Sequence, residues 1–138
     1  MGGSGIKQIH VAVGVILGAD GRILLAKRPE HLHMGGRWEF PGGKVEEDES
    51  IQQAMARELK EELDIDIDVK AMEPLIEVRH DYGDKQVFLD TWCITEFEGI
   101  ERGVEGQELA WVSVAELPEY HFPDANQPIL TALQARLS

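Results

Sequence analysis

The chain has 138 residues, 43% of them hydrophobic, which is enough for one compact unit with a real apolar core and too few for two ordinary domains. It carries 26 acidic against 13 basic residues, a formal charge of −13, which argues against a grip on nucleic-acid backbones. A single cysteine, Cys93, excludes an internal disulfide, and no apolar run approaches the length of a membrane span.

Met1 to Gly5, Met-Gly-Gly-Ser-Gly, has the composition of a flexible tag remnant, leaving residues 6–138 as one expected domain. No signal-peptide pattern precedes the first apolar run, so a cytoplasmic location is expected. Gln8 to Leu17 is β-branched and almost continuously apolar, which predicts a strand buried on both faces. Gly18-Ala19-Asp20-Gly21 signals a turn and Arg22 to Arg28 a second strand, so the two are expected to pair as a hairpin. Pro29 to Trp38 lacks periodicity and reads as a loop. Its His31 and His33 have no nearby cysteine or further histidine to complete a metal site and are assigned to the surface or to loop packing.

Glu39-Phe40-Pro41-Gly42-Gly43 leads towards a helix, and its glycines permit close backbone approach to a metal or phosphate. Ser50 and Gln53 have the spacing of a capping box, so the helix should start at Ile51, and no proline interrupts it before Leu63. At about 100° per residue, Ala54, Met55, Leu59 and Leu63 share a broad apolar arc. Glu58 and Glu62 fall inside that arc, about 20° either side of Ile51, with Glu61 near its edge. Carboxylates spaced four apart repel, and two readings stay open: a solvated acidic face, or a divalent cation held with help from another element. Arg57, about 120° from Ile51, is better placed to orient Glu49 or Glu61 than to touch a ligand.

Beyond the helix, Asp66 to Tyr82 reads as a strand bent at Pro74, and Gly83-Asp84 turns it back into Lys85 to Phe97. Within the return strand, Phe88 and Trp92 are compatible with core packing or with stacking on a base, and Cys93 reads as a small strand residue rather than a nucleophile. Glu98 to Gly106 is a loop, Glu108 to Val114 a last strand ended by Ala115 to Pro118, and a helix from Asp124 places Ile129, Leu130, Leu133 and Leu137 at helical spacing. Strands, helix, strands, helix implies an α+β fold with a mixed sheet between helices.

Gly43, Glu49, Arg57-Glu58-Leu59, Glu61-Glu62 and Ile65 stand at the spacing of the Nudix box, with Asp64 where that pattern has glycine. Val11-Ala12-Val13-Gly14-Val15-Ile16, Glu39 to Lys44, Glu105-Gly106-Gln107 and Phe122 to Pro128 add to it, and the chain resembles the MutT branch of the Nudix hydrolases over nearly its whole length. The resemblance implies a Nudix-type α/β/α sandwich and a pyrophosphohydrolase of oxidised guanine nucleotides. Such an enzyme converts 8-oxo-dGTP to 8-oxo-dGMP and pyrophosphate by attack of water on the β-phosphorus. It further implies Mg²⁺, with Mn²⁺ as a substitute, held by Glu58, Glu61, Glu62, Glu105 and the Gly42 carbonyl, with Glu58 as the candidate general base or base-positioning ligand and Arg57 in support. Arg28, Glu39, Phe40 and Asn126 would contact substrate. Each has a plainer reading: Glu105 as one more acid in an acidic loop, Arg28 as a surface arginine, Asn126 as a helix cap. A monomer with a small-molecule nucleoside triphosphate substrate, no stable nucleic-acid binding and no membrane is expected. The rivals are a hydrolase of CTP, ADP-ribose or dinucleoside polyphosphates, and a Nudix fold kept as a non-catalytic binding module. Asp64 is expected to strain the helix end, where glycine adopts the left-handed conformation freely.

Overall fold

Two helices enclose the strands in the computed structural model, which describes residues 7–28, 31 and 35–137. The strands are β1 (Lys7–Ile16), β2 (Ile23–Lys27), β3 (Trp38–Glu39), β4 (Gly42–Lys44), β5 (Asp66–Ile67), β6 (Glu73–Asp81), β7 (Lys85–Ile94), β8 (Phe97–Glu98) and β9 (Glu108–Val112); the helices are α1 (Ile51–Leu63) and α2 (Gln127–Leu137). One sheet has the order β4-β1-β7-β6, a second β3-β2-β9, and β5 pairs with β8. Within the first sheet β1 and β7 run parallel from Lys7 opposite Lys85 to Ile16 opposite Ile94, while β4 and β6 are antiparallel to their neighbours.

Strand periodicity explains how β1 serves both helices. Ala12 and Ile16 pack towards α1 with Met55, Leu59 and Leu63, while Val13 and Val15 pack towards α2 with Ile129 and Leu133. In β2, Leu24 belongs to the first cluster, and Ile23 and Leu25 to the second. Between Ala12 and Ile16, Gly14 lets α1 come close: a Cβ there would lie 3.1 Å from Ile94 Cδ1 and 3.2 Å from Met55 Sδ. The α+β sandwich with a mixed sheet between helices is the architecture observed. Among the described residues, no helix is long and apolar enough to cross a membrane.

Several elements differ from the sequence reading. The β1–β2 hairpin does not form; a single bridge, Leu17 with Ile23, joins the two strands before they part into different sheets. The turn is closed by Gly18 N–H to Arg22 O at 2.8 Å, and beyond it each strand, buried on both faces, takes neighbours of its own on both edges. Asp66 to Tyr82 is not one strand, because Asp68 caps a 3₁₀ turn at Val69–Ala71, and the pairing of β6 slips between Pro74 and Ile76. Ala115 to Pro118 lies within a 3₁₀ turn, Val114–Glu119, opened by a Ser113–Glu116 capping box. The last helix starts three residues later than expected, after a 3₁₀ turn at Asp124–Asn126. The expected tag remnant and His33 lie outside the described residues.

Candidate active site

The site is built where α1 crosses the β4 backbone. Ser50 caps Gln53 N–H and Gln53 Oε1 accepts from Ser50 N–H at 2.8 Å, so the capping box fixes where the first turn starts and hence which side chains face the sheet. Leu59 and Leu63 are fully buried, and their neighbours Glu58 and Glu62 are carried with them towards Gly42 and Gly43. A Cβ on Gly43 would stand 2.3 Å from the Glu58 carboxyl carbon. The glycine therefore makes room for a carboxylate of the protein itself rather than only for a ligand. At Gly42, φ is +152° and a Cβ would stand 1.9 Å from the Ala12 carbonyl, so the bend into β4 is closed to other residues.

Glu62 is pushed up to about 8, first by burial and then by the charge and hydrogen bond of Glu58, against a weaker pull from the Gly42 backbone. Two partly buried carboxylates facing each other are costly when Arg57 answers only Glu58, and in the protein alone a proton on Glu62 relieves the pair. Glu39, partly buried, is raised by desolvation, which Arg28 at 3.7 Å partly opposes.

Arg57 sits behind this pair and organises its back. Its Nε donates to Glu49 Oε2 at 2.6 Å and its Nη2 to Glu49 Oε1 at 2.8 Å, a bidentate pair that holds Glu49 down at about 2. Nη1 reaches Glu58 Oε2 at 3.1 Å and Glu61 Oε1 at 3.0 Å, and Nη2 also donates to the Lys44 carbonyl at 3.0 Å. One guanidinium thus links the pre-helix loop, β4 and two of the box glutamates.

The oxygen-only donor set, short of positive charge, suits a hard divalent cation. Among the described residues no three acidic, imidazole or thiolate side chains are gathered around one point. Glu61 is tied to Arg57, and Glu105 lies on the loop after β8. Glu58 and Glu62 form the nucleus of the set. Mg²⁺ needs few protein ligands when phosphate oxygens and water complete its shell, so the residues present fit it.

Glu62 opens on a cleft of about 530 Å³ whose walls include Arg28, Glu39, Phe40, Glu105, Gln107 and Asn126. The sequence-predicted metal and substrate residues Gly42, Glu62, Glu105, Arg28, Glu39, Phe40 and Asn126 therefore share one cavity, while Arg57, Glu58 and Glu61 do not line it, Glu58 lying behind Gly43. His31, assigned from sequence to the surface or to loop packing, is exposed and also borders this cleft. Phe88 and Trp92 do not reach it. Phe88 stacks on His10 at 4.7 Å with Arg79 above it at 4.2 Å, and Trp92 packs on the α1 side with its Nε1 donating to Asp90 Oδ1. Strand alternation explains this, because both point to the face opposite Leu89, which does line the cleft. Cys93 is buried, its thiol raised by desolvation. Gln107 escaped the sequence reading as a site residue, although it ends the quoted Glu105-Gly106-Gln107 segment.

Known proteins match this chain over most of its length. The NUDIX domain profile matches residues 12–132. The CTP pyrophosphohydrolase of Escherichia coli K12 is 40% identical over 130 residues, covering 94% of this chain and 94% of its own. The 8-oxo-dGTP diphosphatase of the same organism is 34% identical over 129 residues, covering 94% and 98%. A solved structure from a study of MutT from Aliivibrio salmonicida and Vibrio cholerae superposes with a TM-score of 0.81 at 40% identity, covering 94% of this chain and 99% of that one.

Proposed function

The chain belongs to the Nudix family as a MutT-like hydrolase, and from that premise we propose that it cleaves 8-oxo-dGTP to 8-oxo-dGMP and pyrophosphate, sanitising the nucleotide pool. The observation that carries this reading is that Glu62, at the carboxylate pair, and Asn126, at the other wall, front the same cleft. Asn126 offers both a donor and an acceptor to a purine edge, and Phe40 an apolar wall.

Glu58 and Glu62, with the Gly42 carbonyl, would hold Mg²⁺ or Mn²⁺, and Glu61 and Glu105 would complete the acidic surround. The ion, when bound, acidifies a water and offsets charge on the pyrophosphate. Glu58 accepts or directs the proton of the water that attacks the β-phosphorus. The α–β bridging oxygen leaves with the monophosphate. Arg57 keeps Glu58 and Glu61 aimed, and Arg28 beside Glu39 supplies positive charge where the cleft receives an anion. The same reading makes the protein a cytoplasmic monomer with a small-molecule substrate.

A second reading, CTP hydrolysis, is favoured by the 40% identity to the CTP pyrophosphohydrolase. The two separate on kcat/KM for 8-oxo-dGTP, dGTP and CTP with Mg²⁺, followed by pyrophosphate release. The proposal expects 8-oxo-dGTP to exceed both others by at least about tenfold, near 1.4 kcal/mol of differential transition-state binding. A preference for CTP replaces the substrate and leaves the hydrolase.

A further inference from the structure

The last carbonyls of α1 have no partners within the helix, and the loop that carries Glu105 caps them. Leu63 O accepts from Arg102 N–H at 3.0 Å, and Glu62 O accepts from both Val104 N–H and Gln107 Nε2, each at 3.1 Å. The other end of the Gln107 amide, Oε1, accepts from the Glu105 N–H at 2.9 Å. One side chain therefore bridges the backbones of Glu62 and Glu105, and all three residues border the cleft. The packing leaves little slack: a Cβ on Gly103 would stand 2.1 Å from the Gln107 carbonyl. Arg102 Nε also donates to Asp64 Oδ2 at 3.2 Å, a second tie between the loop and the helix end.

We propose that Gln107 is a positioning residue that holds Glu105 at a fixed distance from Glu62, so that a carboxylate on an otherwise exposed loop would be presented to a divalent ion bound at Glu62. This rests on the assignment of Glu62 and Glu105 as ion-binding residues. Both ends of the amide are used, so a side chain of equal length without donor or acceptor removes the bridge and leaves the volume filled. Asp64–Arg102 is exposed and contributes less.

The test is Mn²⁺ binding to the free protein, followed by the electron paramagnetic resonance of unbound Mn²⁺, for wild type, Gln107→Met, Glu105→Gln and the double variant. Loss of a partner that orients a ligand weakens metal binding by about 10- to 100-fold, and that loss is expected for Gln107→Met. In the Glu105→Gln background the same substitution is expected to have little further effect, because its action passes through Glu105. Wild-type affinity in Gln107→Met, or an equal loss in both backgrounds, overturns the proposal. Unchanged binding in Glu105→Gln overturns the ion-binding assignment beneath it, a distinguishable result. Thermal unfolding in chelator reports whether each variant folds; should Gln107→Met not fold, Gln107→Ala replaces it in the same cycle, with the same outcomes.

Discussion

At the scale of single residues, the Glu58–Glu62 pair sets what the site does and what it costs. In the metal-free protein Glu62 keeps its proton to about pH 8, whereas the unfolded chain releases it near the ordinary carboxylate range. The folded state then binds more protons than the unfolded one between these limits, so its stability falls as pH rises through them. Urea unfolding in chelator should give a lower midpoint at pH 8 than at pH 5 from this source, and Glu62→Gln should flatten that part of the slope. Saturating Mg²⁺ should restore the pH 8 midpoint, because the ion replaces the proton. Gly43 gives a second prediction. A methyl there meets the end of the Glu58 side chain rather than backbone, so Gly43→Ala should cost little in melting temperature while displacing the carboxylate. Turnover should fall about 100-fold, the cost of a reacting group misplaced by about an ångström. The acidic spacing was legible in the sequence because helical periodicity fixes it. The contact of Glu58 with Gly43 was not, since it depends on how closely α1 settles on β4.

At the scale of elements, the end of α1 is where the chain departs from the box pattern. Asp64 takes the left-handed conformation at φ 60° and ψ 39°, as its position predicted, and Lys60 at 3.4 Å and Arg102 at 3.2 Å answer its charge and hold it below the usual carboxylate range. The negative end of the helix dipole therefore does not face an unpaired anion. Asp64→Gly exchanges these contacts for an easier backbone and should leave the thermal midpoint close to wild type. Asp64→Ala loses the contacts and keeps the backbone strain, so its midpoint should fall clearly below both. Scanning calorimetry of the three proteins decides it. The helix start, with its Ser50–Gln53 box, was readable because capping is local. The β1–β2 pairing was misread because turn residues announce a reversal of direction and not which edge the returning strand will join.

For the whole molecule, the sandwich brings residues from separate stretches to one cleft, among them Arg28 after β2, Glu39 to Gly43, Glu62 on α1, Glu105 and Gln107 before β9, and Asn126 before α2. Alternation along β1 and β7 sorts side chains towards the two helices, and it also decides that Leu89 reaches the cleft while Phe88 and Trp92 do not. The fold class followed from the order of elements. The division of the strands into separate sheets did not, because it depends on long-range pairings without a local signal. The role of Gln107 was hidden for a similar reason, since its two partners lie 2 and 45 residues away. The central claim, that the facing glutamates hold a divalent ion against a nucleotide pyrophosphate, is tested most directly by anomalous diffraction from crystals grown with Mn²⁺ and a non-hydrolysable 8-oxo-dGTP analogue. The account predicts an anomalous peak touching the carboxylates of Glu58 and Glu62 and the phosphate chain. A bound nucleotide with no ion between those carboxylates would contradict it.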